Sequence, residues 1–352
     1  MRRDKSGLSM NNDNLYIRVK KEICEMIYNG VYGEGEKIPP ERVLAEELNV
    51  SRVTIRKALQ LLEGDNLIVR EVGSGTSICF HNTGHNGSLE MITLVAPARN
   101  PFFSDFIEAF QKNAEKNSSL VLFAQKPEND TIENCLYRLY QKDLYNAVVW
   151  LEDMNIDIER LKRLRSLGMN MVFFDTDMAV QYADCVFLDN KKAVETLCQS
   201  LKKRGHERLG YIGWDKKDIF SVREREQAFL SVESTGKILQ QLPWDKRKQL
   251  DIYLKDFFLD YSRRYNMPDA LVCADGENGI AVSKALRELK MESIKVAAVD
   301  EFADSKANKI TTYGQDFKQV SEIAYDCLKQ QNSNSLNWKP GLYKIEGNLT
   351  ER

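Results

Sequence analysis

The feature that most constrains the fold is a series of short apolar runs that begins at Met91. Seven of them, at 91–96, 120–124, 147–151, 171–174, 209–213, 270–274 and 296–299, are separated by amphipathic stretches of helical period. Near-continuous apolar strands joined by helices predict parallel sheets covered on both faces. Sheets of this kind bind ligands beyond the carboxyl ends of their strands, where the connections diverge. The residues just past those ends are therefore the ones to read. Glu152 and Asp153, Asp175, Asp275, and Asp300 with Glu301 follow strands, and Pro97 to Phe103 follows the first. Carboxylates accept paired hydroxyl donors and rings stack on C–H faces, so the set suits a polar, hydroxyl-rich small molecule.

Ahead of this region the pattern differs. Leu15, Val19, Ile23, Met26 and Ile27 recur at helical spacing and Gly30 follows as a stop. After a turn-rich stretch, residues 41–48 read as a short helix with Leu44 and Leu48 inward. Residues 81–88, HNTGHNGS, are loop formers between two periodic regions and mark a linker. The expected organisation is thus a small domain over 1–80, a linker over 81–88, and a large α/β domain over 89–352.

The third helix of the small domain is the most informative. Ser51 is a natural N-cap. Beyond it Ile55, Ala58, Leu59 and Leu62 form one buried stripe, and the opposite face presents Val53, Arg56, Lys57 and Gln60 with Arg52 and Thr54 at its borders. No carboxylate lies between Ser51 and Leu62. An acid-free helix with three cations near its N-terminal end suits a reader of phosphates and base edges, since arginine bonds guanine bidentately and threonine reaches a phosphate or a thymine methyl. Residues 67–80 then read as two short strands around Gly73-Ser-Gly75, a hairpin wing. Three helices and a wing make a winged helix-turn-helix.

This segment resembles the GntR family through PPERVLAEELNVSRVTIRKALQLLEGDNLIVREVGSGT at 39–76. The resemblance implies DNA contacts from Arg42, Ser51, Arg52, Thr54 and Arg56, and a minor-groove approach by Gly73 and Gly75. Pro40 departs from the small residue common there and is expected to shift the cap of the second helix. The larger region resembles the LacI-type effector domain, itself similar to periplasmic sugar-binding proteins. The resemblance runs from about Ile92 to Phe317 through NPFF at 100–103, LDN at 188–190, RGHERLGYIG at 204–213, SVRER at 221–225, PDALVCAD at 268–275 and Val299-Asp300. It implies a two-lobed domain whose effector cleft is lined by Phe102 or Phe103, Asp175, Arg225 and Asp300. Asp275 matches the family pattern, but Ala274 replaces an asparagine and removes one ligand hydrogen bond. The composite order is similar to arabinose-responsive repressors.

Composition narrows the rival classes. The formal charge of −2 gives no global reason for nucleic-acid binding, so that function must sit in a local patch. No apolar run approaches the ~20 residues that span a bilayer. Residues 1–12 carry Arg2, Arg3 and Lys5 without a following apolar stretch, unlike a secretory signal. Seven cysteines without a CxxC pair suit reduced core thiols in a cytosolic protein. His81 and His85 stand four apart but enclose Asn-Thr-Gly with no completing ligand, so they read as linker and not as metal site. No nucleophile elbow, P-loop or HExxH motif is present, which opposes an enzyme and leaves no cofactor or metal to expect. A solute-binding module for transport shares the two-lobed fold, but the missing signal and the cationic helix oppose it. The expectation is a cytoplasmic, homodimeric repressor of carbohydrate-utilisation genes that binds operator DNA and a sugar-like effector. An activator, or a sensor of a purine, amino acid or sugar phosphate, uses the same parts. His206, Trp244 and the 245–248 run carry no functional expectation; the run reads as a solvated loop.

Overall fold

A computed structural model describes residues 10–71, 73–80, 89–97, 101–151, 155–232, 237–333 and 337–352. The linker at 81–88, with His81 and His85, lies outside the described residues, as do Asn100, Glu152 and Asp153 and the side chain of Phe102.

The head comprises α1 (Met10–Tyr28), α2 (Glu41–Glu47), α3 (Arg52–Gly64) and an antiparallel hairpin of β1 (Ile68–Glu71) and β2 (Gly75–Ile78). Lys37 bridges Ser77 and adds a third, one-residue edge to the wing. Each helix starts as its sequence directs. The Ser51 hydroxyl accepts from the Thr54 amide and caps α3, whereas Pro40 begins α2 without a side-chain cap. Val19, Ile23 and Ile27 of α1 meet Leu44, Ile55, Leu59 and Leu62, all essentially inaccessible to solvent. A fully buried aliphatic side chain contributes about 1.5–3 kcal/mol, so this cluster is what holds a small head together.

The larger region has two lobes. The first carries β3 (Met91–Val95), α4 (Pro101–Lys116), β4 (Leu120–Ala124), α5 (Ile132–Tyr140), β5 (Asn146–Trp150), α6 (Ile158–Leu167), β6 (Asn170–Phe174) and β7 (Asp184–Leu188). The chain then crosses to α7 (Asn190–Lys203), β8 (Leu209–Trp214), α8 (Phe220–Val232), β9 (Lys237–Leu242), α9 (Leu250–Arg264), β10 (Ala270–Cys273), α10 (Gly276–Glu288), β11 (Lys295–Val299) and β12 (Thr311–Gly314). It returns through α11 (Phe317–Ser333) to β13 (Leu342–Ile345) and crosses once more to end on β14 (Asn348–Thr350). The sheet orders are β13-β7-β6-β5-β3-β4 and β14-β12-β11-β10-β8-β9, parallel except for the antiparallel β14. One strand order thus occurs twice.

Double coverage is visible along β5. Val148 and Trp150 pack in the layer of α4 and α11, whereas Ala147 and Val149 belong to the opposite layer, which runs on into the head. All seven apolar runs are strands. β4 was expected to be buried, but its LVLFA run lies on the sheet edge with Leu120 68% and Phe123 44% exposed.

Candidate functional site

Two sites emerge, one on each part of the molecule. On the head, Arg52, Val53, Arg56, Lys57 and Gln60 form one exposed face of α3. Thr54, expected at its border, is instead turned inward, its hydroxyl 2.8 Å from that of Ser51. The two residues build the helix start together. Arg56 is also less free than its sequence suggests, because its Nη2 donates to Glu41 Oε2 of α2 at 3.0 Å. Glu41 further lies 3.9 Å from Arg70 of the wing. A single carboxylate thereby links α2, α3 and the wing. Lys57 stands over the Tyr16 ring of α1 at 5.2 Å. Arg42 is exposed and lies 3.9 Å from Glu46. Gly73 (φ 82°) and Gly75 (φ 104°) make the tight wing turn, a backbone region that disfavours any side chain, and among the described residues nothing stands within 4 Å of where a Cβ would sit on either.

In the larger region, a cleft of about 790 Å³, partly open to solvent, runs between the carboxyl ends of the two sheets. Phe103 and Trp150 form one wall edge to face at 4.1 Å, and Trp244 and Phe302 contribute from the other lobe. The floor is organised by Arg225 of α8. Its Nε donates to Asn190 Oδ1 at 2.7 Å, and its Nη1 donates to the Ala274 carbonyl at 2.8 Å and Asp300 Oδ2 at 3.0 Å. Burial works against this guanidinium's charge, yet the carboxylates of Asp300, Asp175 and Asp275 outweigh it and hold the group protonated.

The three carboxylates play different parts. Asp175 and Asp300 follow β6 and β11 with φ of 60° and 69°, a left-handed conformation that Asp tolerates better than most residues and that turns each out of its strand. Asp175 Oδ2 accepts from Ser221, while its Oδ1 is buried without a partner among the described residues. Burial pushes its carboxyl up to about 6; Arg225 opposes the shift and Asp300 adds to it. Asp300 Oδ1 accepts from Gln315 Nε2 at 2.7 Å, leaving Gln315 Oε1 as a second acceptor on the cleft lining without a partner among the described residues. Asp275, expected to meet the effector, lines the cleft but spends both oxygens inside the protein. Its Oδ1 caps α10 at the Asn278 amide and its Oδ2 accepts from Trp214 Nε1 at 2.5 Å. A ligand that satisfies the two free acceptors must supply hydrogen-bond donors.

The 245–248 run is not a solvated loop. Residues Trp244–Gln249 form a 3-10 turn in which positions three apart share a side, so Trp244 and Arg247 both line the cleft, the guanidinium 4.6 Å from the indole. Sequence reading missed this pair.

Comparison with known proteins agrees with this division. Residues 15–78 match the model of bacterial regulatory proteins of the gntR family. Residues 88–233 match periplasmic binding proteins and the sugar-binding domain of the LacI family, and 198–352 a periplasmic binding protein-like domain. The chain is a GntR-headed regulator with a LacI-type core. The arabinose metabolism transcriptional repressor of Geobacillus stearothermophilus is 23% identical to the regulator over 337 residues, 90% of each chain. The probable fructoselysine utilization operon transcriptional repressor of Escherichia coli K12 is 42% identical over 64 residues, 18% of this regulator and 26% of that protein. Among solved structures, the Cra dual regulator of Pseudomonas putida in complex with fructose 1-phosphate aligns with a TM-score of 0.63 at 14% identity, covering 75% of the regulator and 99% of that chain. The Escherichia coli trehalose repressor aligns at 0.61 and 17% identity, covering 75% of the regulator and all of that chain. These likenesses establish the fold of the core. No helix among the described residues is long and apolar enough to cross a membrane.

Proposed function

We propose that the chain is a cytoplasmic, homodimeric repressor of carbohydrate-utilisation genes, in which a sugar-like effector bound between the lobes changes operator affinity. The observation that carries this reading is the coexistence in one chain of an exposed, acid-free cationic helix face and a cleft with aromatic walls and two buried acceptors awaiting donors. The related repressors of sugar metabolism support it. Arg42, Ser51, Arg52, Arg56 and Lys57 with the wing glycines are the DNA-facing set; Thr54 acts through the cap. Phe103, Asp175, Arg225 and Asp300 are the effector set, with Trp244 added. The regulator has no catalytic task in this reading, and a membrane has no part in it.

Dimerisation is expected because a single winged helix reads too few base pairs for useful specificity. The exposed Leu120, Leu122 and Phe123 on edge strand β4 supply an apolar strip for the partner copy. A phosphorylated or acidic sugar is the second reading, favoured by Arg247 on the cleft wall.

The test is a thermal-shift screen of the full chain against L-arabinose, other neutral pentoses and hexoses, their phosphates, purines and amino acids. A ligand that binds only the folded state stabilises it in proportion to the logarithm of concentration over Kd. A neutral sugar that raises the melting temperature, and then changes the affinity for a duplex selected by this chain from a random library, meets the expectation. Response to phosphates alone moves the assignment to the second reading. Response to neither class of sugar overturns both.

A further inference from the structure

The head is not hung on a free tether. One face of α1, carrying Lys21, Cys24 and Tyr28 at helical spacing, lies against a matching face of α5 carrying Asn134, Tyr137 and Gln141. The Tyr28 and Tyr137 rings stack face to face at 4.0 Å and 2°. Tyr28 donates its hydroxyl to Asn134 Oδ1 at 2.8 Å, and Tyr140 donates to Cys24 Sγ at 3.4 Å. From α6, Arg163 donates to the Tyr28 carbonyl at 3.2 Å, and Lys162 pairs with Glu34 at 2.8 Å. Lys21 donates to the Gln141 carbonyl at 3.2 Å. Tyr28, Cys24 and Tyr137 are 3%, 1% and 7% exposed, so the seam is closed to water, and burial pushes the Cys24 thiol up to about 11. Stacked aromatics with satisfied hydroxyls are the anchors expected of a specific interface.

Two further observations say what the seam is for. Arg52, Val53, Arg56 and Gln60 remain exposed while it is closed, and none of them takes part in it. The docked pose therefore leaves the DNA-reading face open. The seam helices are joined to the effector cleft through two strands. β5 runs between α5 and α6 in the chain, and its last residue, Trp150, lines the cleft, about 13 Å of extended strand from its start. α6 feeds β6, after which comes Asp175. Glu133, 1% exposed, accepts the Asp157 amide at 2.8 Å and ties α5 to the start of α6.

We propose that the seam of Tyr28, Asn134 and Tyr137 docks the head on the first lobe in its DNA-reading pose, so that the two heads of a dimer are presented at a set spacing. The seam residues are positioning residues; they touch no DNA. A docked head has its orientation fixed before DNA arrives, which raises the effective concentration of the second head at its half-site. An undocked head reads the same bases with no preferred spacing. This inference rests on the functional reading above, because it assumes operator binding by paired heads.

The test uses the full chain and a two-half-site duplex that the wild-type protein selects from a random library. Affinity is compared between the selected spacing and one lengthened by about five base pairs, half a helical turn. Wild type discriminates between the two. In Tyr137→Ala, affinity for the selected spacing falls by about tenfold and the discrimination ratio moves toward one, while binding to a single half-site is unchanged. Tyr137→Phe, which keeps the stacked ring, retains the wild-type ratio. Asn134→Ala, at a half-buried position, shifts the ratio the same way by less and decides the matter should Tyr137→Ala fail to fold. A selected duplex bound by the alanine variants with the wild-type ratio overturns the proposal, as does a Tyr137→Phe variant no better than Tyr137→Ala. If wild type selects no duplex at all, the functional reading falls as well.

Discussion

Two arginine–carboxylate pairs, one in each part of the molecule, have the same separation and opposite surroundings. Arg225 and Asp300 meet at 3.0 Å with both side chains 6% exposed; Arg56 and Glu41 meet at 3.0 Å with 55% and 24% exposed. Distance alone does not set what a pair contributes. At the cleft floor the pair is almost wholly buried, each charge depends on its partner, and the geometry of Ala274, Asn190 and Gln315 is organised around the pair. On the head, solvent screens the pair, and Arg56 can exchange Glu41 for a phosphate or a base at little cost. The cleft is preorganised by its ion pair, whereas the reading face keeps its cation available.

The largest expected effect follows from removing one buried partner. Arg225→Ala leaves Asp300 uncompensated and lowers stability by about 3–5 kcal/mol, read in a denaturant melt, with the effector response lost. Replacing both with neutral groups, Arg225→Met with Asp300→Asn, which keeps a residue that tolerates the left-handed backbone at 300, should recover part of that stability and none of the response. A single variant as stable as wild type would show that water reaches the pair.

Asp175 sharpens the same contrast through pH. Its carboxyl is lifted from an ordinary 3.8 to about 6 by burial. The folded state therefore holds this proton more tightly than the unfolded chain does. The group favours the fold increasingly as pH falls from 6 toward 4, and its ionised form weighs against folding above 6. Asp175→Asn should stabilise on the order of 3 kcal/mol near pH 7, at about 1.4 kcal/mol per pKa unit, with the advantage gone below pH 4. An advantage independent of pH would place its cause outside this titration.

On the reading helix, Arg52→Ala should weaken binding to a selected duplex by about 1–3 kcal/mol if it reads a base, with a relaxed preference at one position and an unchanged melting temperature. Arg56→Ala should weaken binding in the same direction. Ser51→Ala removes the α3 cap and should lower stability by about 1 kcal/mol. The smallest effect is that of Glu41→Gln, which should leave the melt unmoved and slightly tighten duplex binding. A marked loss of stability there would mean that the exposed pair behaves like the buried one.

Much of this was legible before any coordinates. The doubly covered strands announced themselves as apolar runs, and α3 as an amphipathic helix with a cap, because burial on both faces or on one stripe leaves a periodic record. β7, β9, β12, β13 and β14 left a weaker one. β9, KILQQL, is half exposed and β14, NLT, is a polar edge, while β12 is buried through threonines as well as Tyr313. Arg247 was hidden because a four-residue charged run looks the same whether it coils into solvent or closes a turn over a cleft.

By itself, the sequence determined the two-part architecture, the cationic exposed face of α3 and the identities of the strand-end carboxylates, since all of these follow from local periodicity and capping chemistry. Only the tertiary structure decided which oxygen of which carboxylate is free. Asp175 and Asp275 are alike in sequence, each an aspartate just past an apolar strand. Asp275 is consumed by the amide of Asn278 and the indole of Trp214, whereas Asp175 keeps Oδ1 without a partner among the described residues. The docking of the head is likewise a tertiary fact, because the stacking of Tyr28 on Tyr137 joins residues far apart in the chain whose meeting no local pattern encodes.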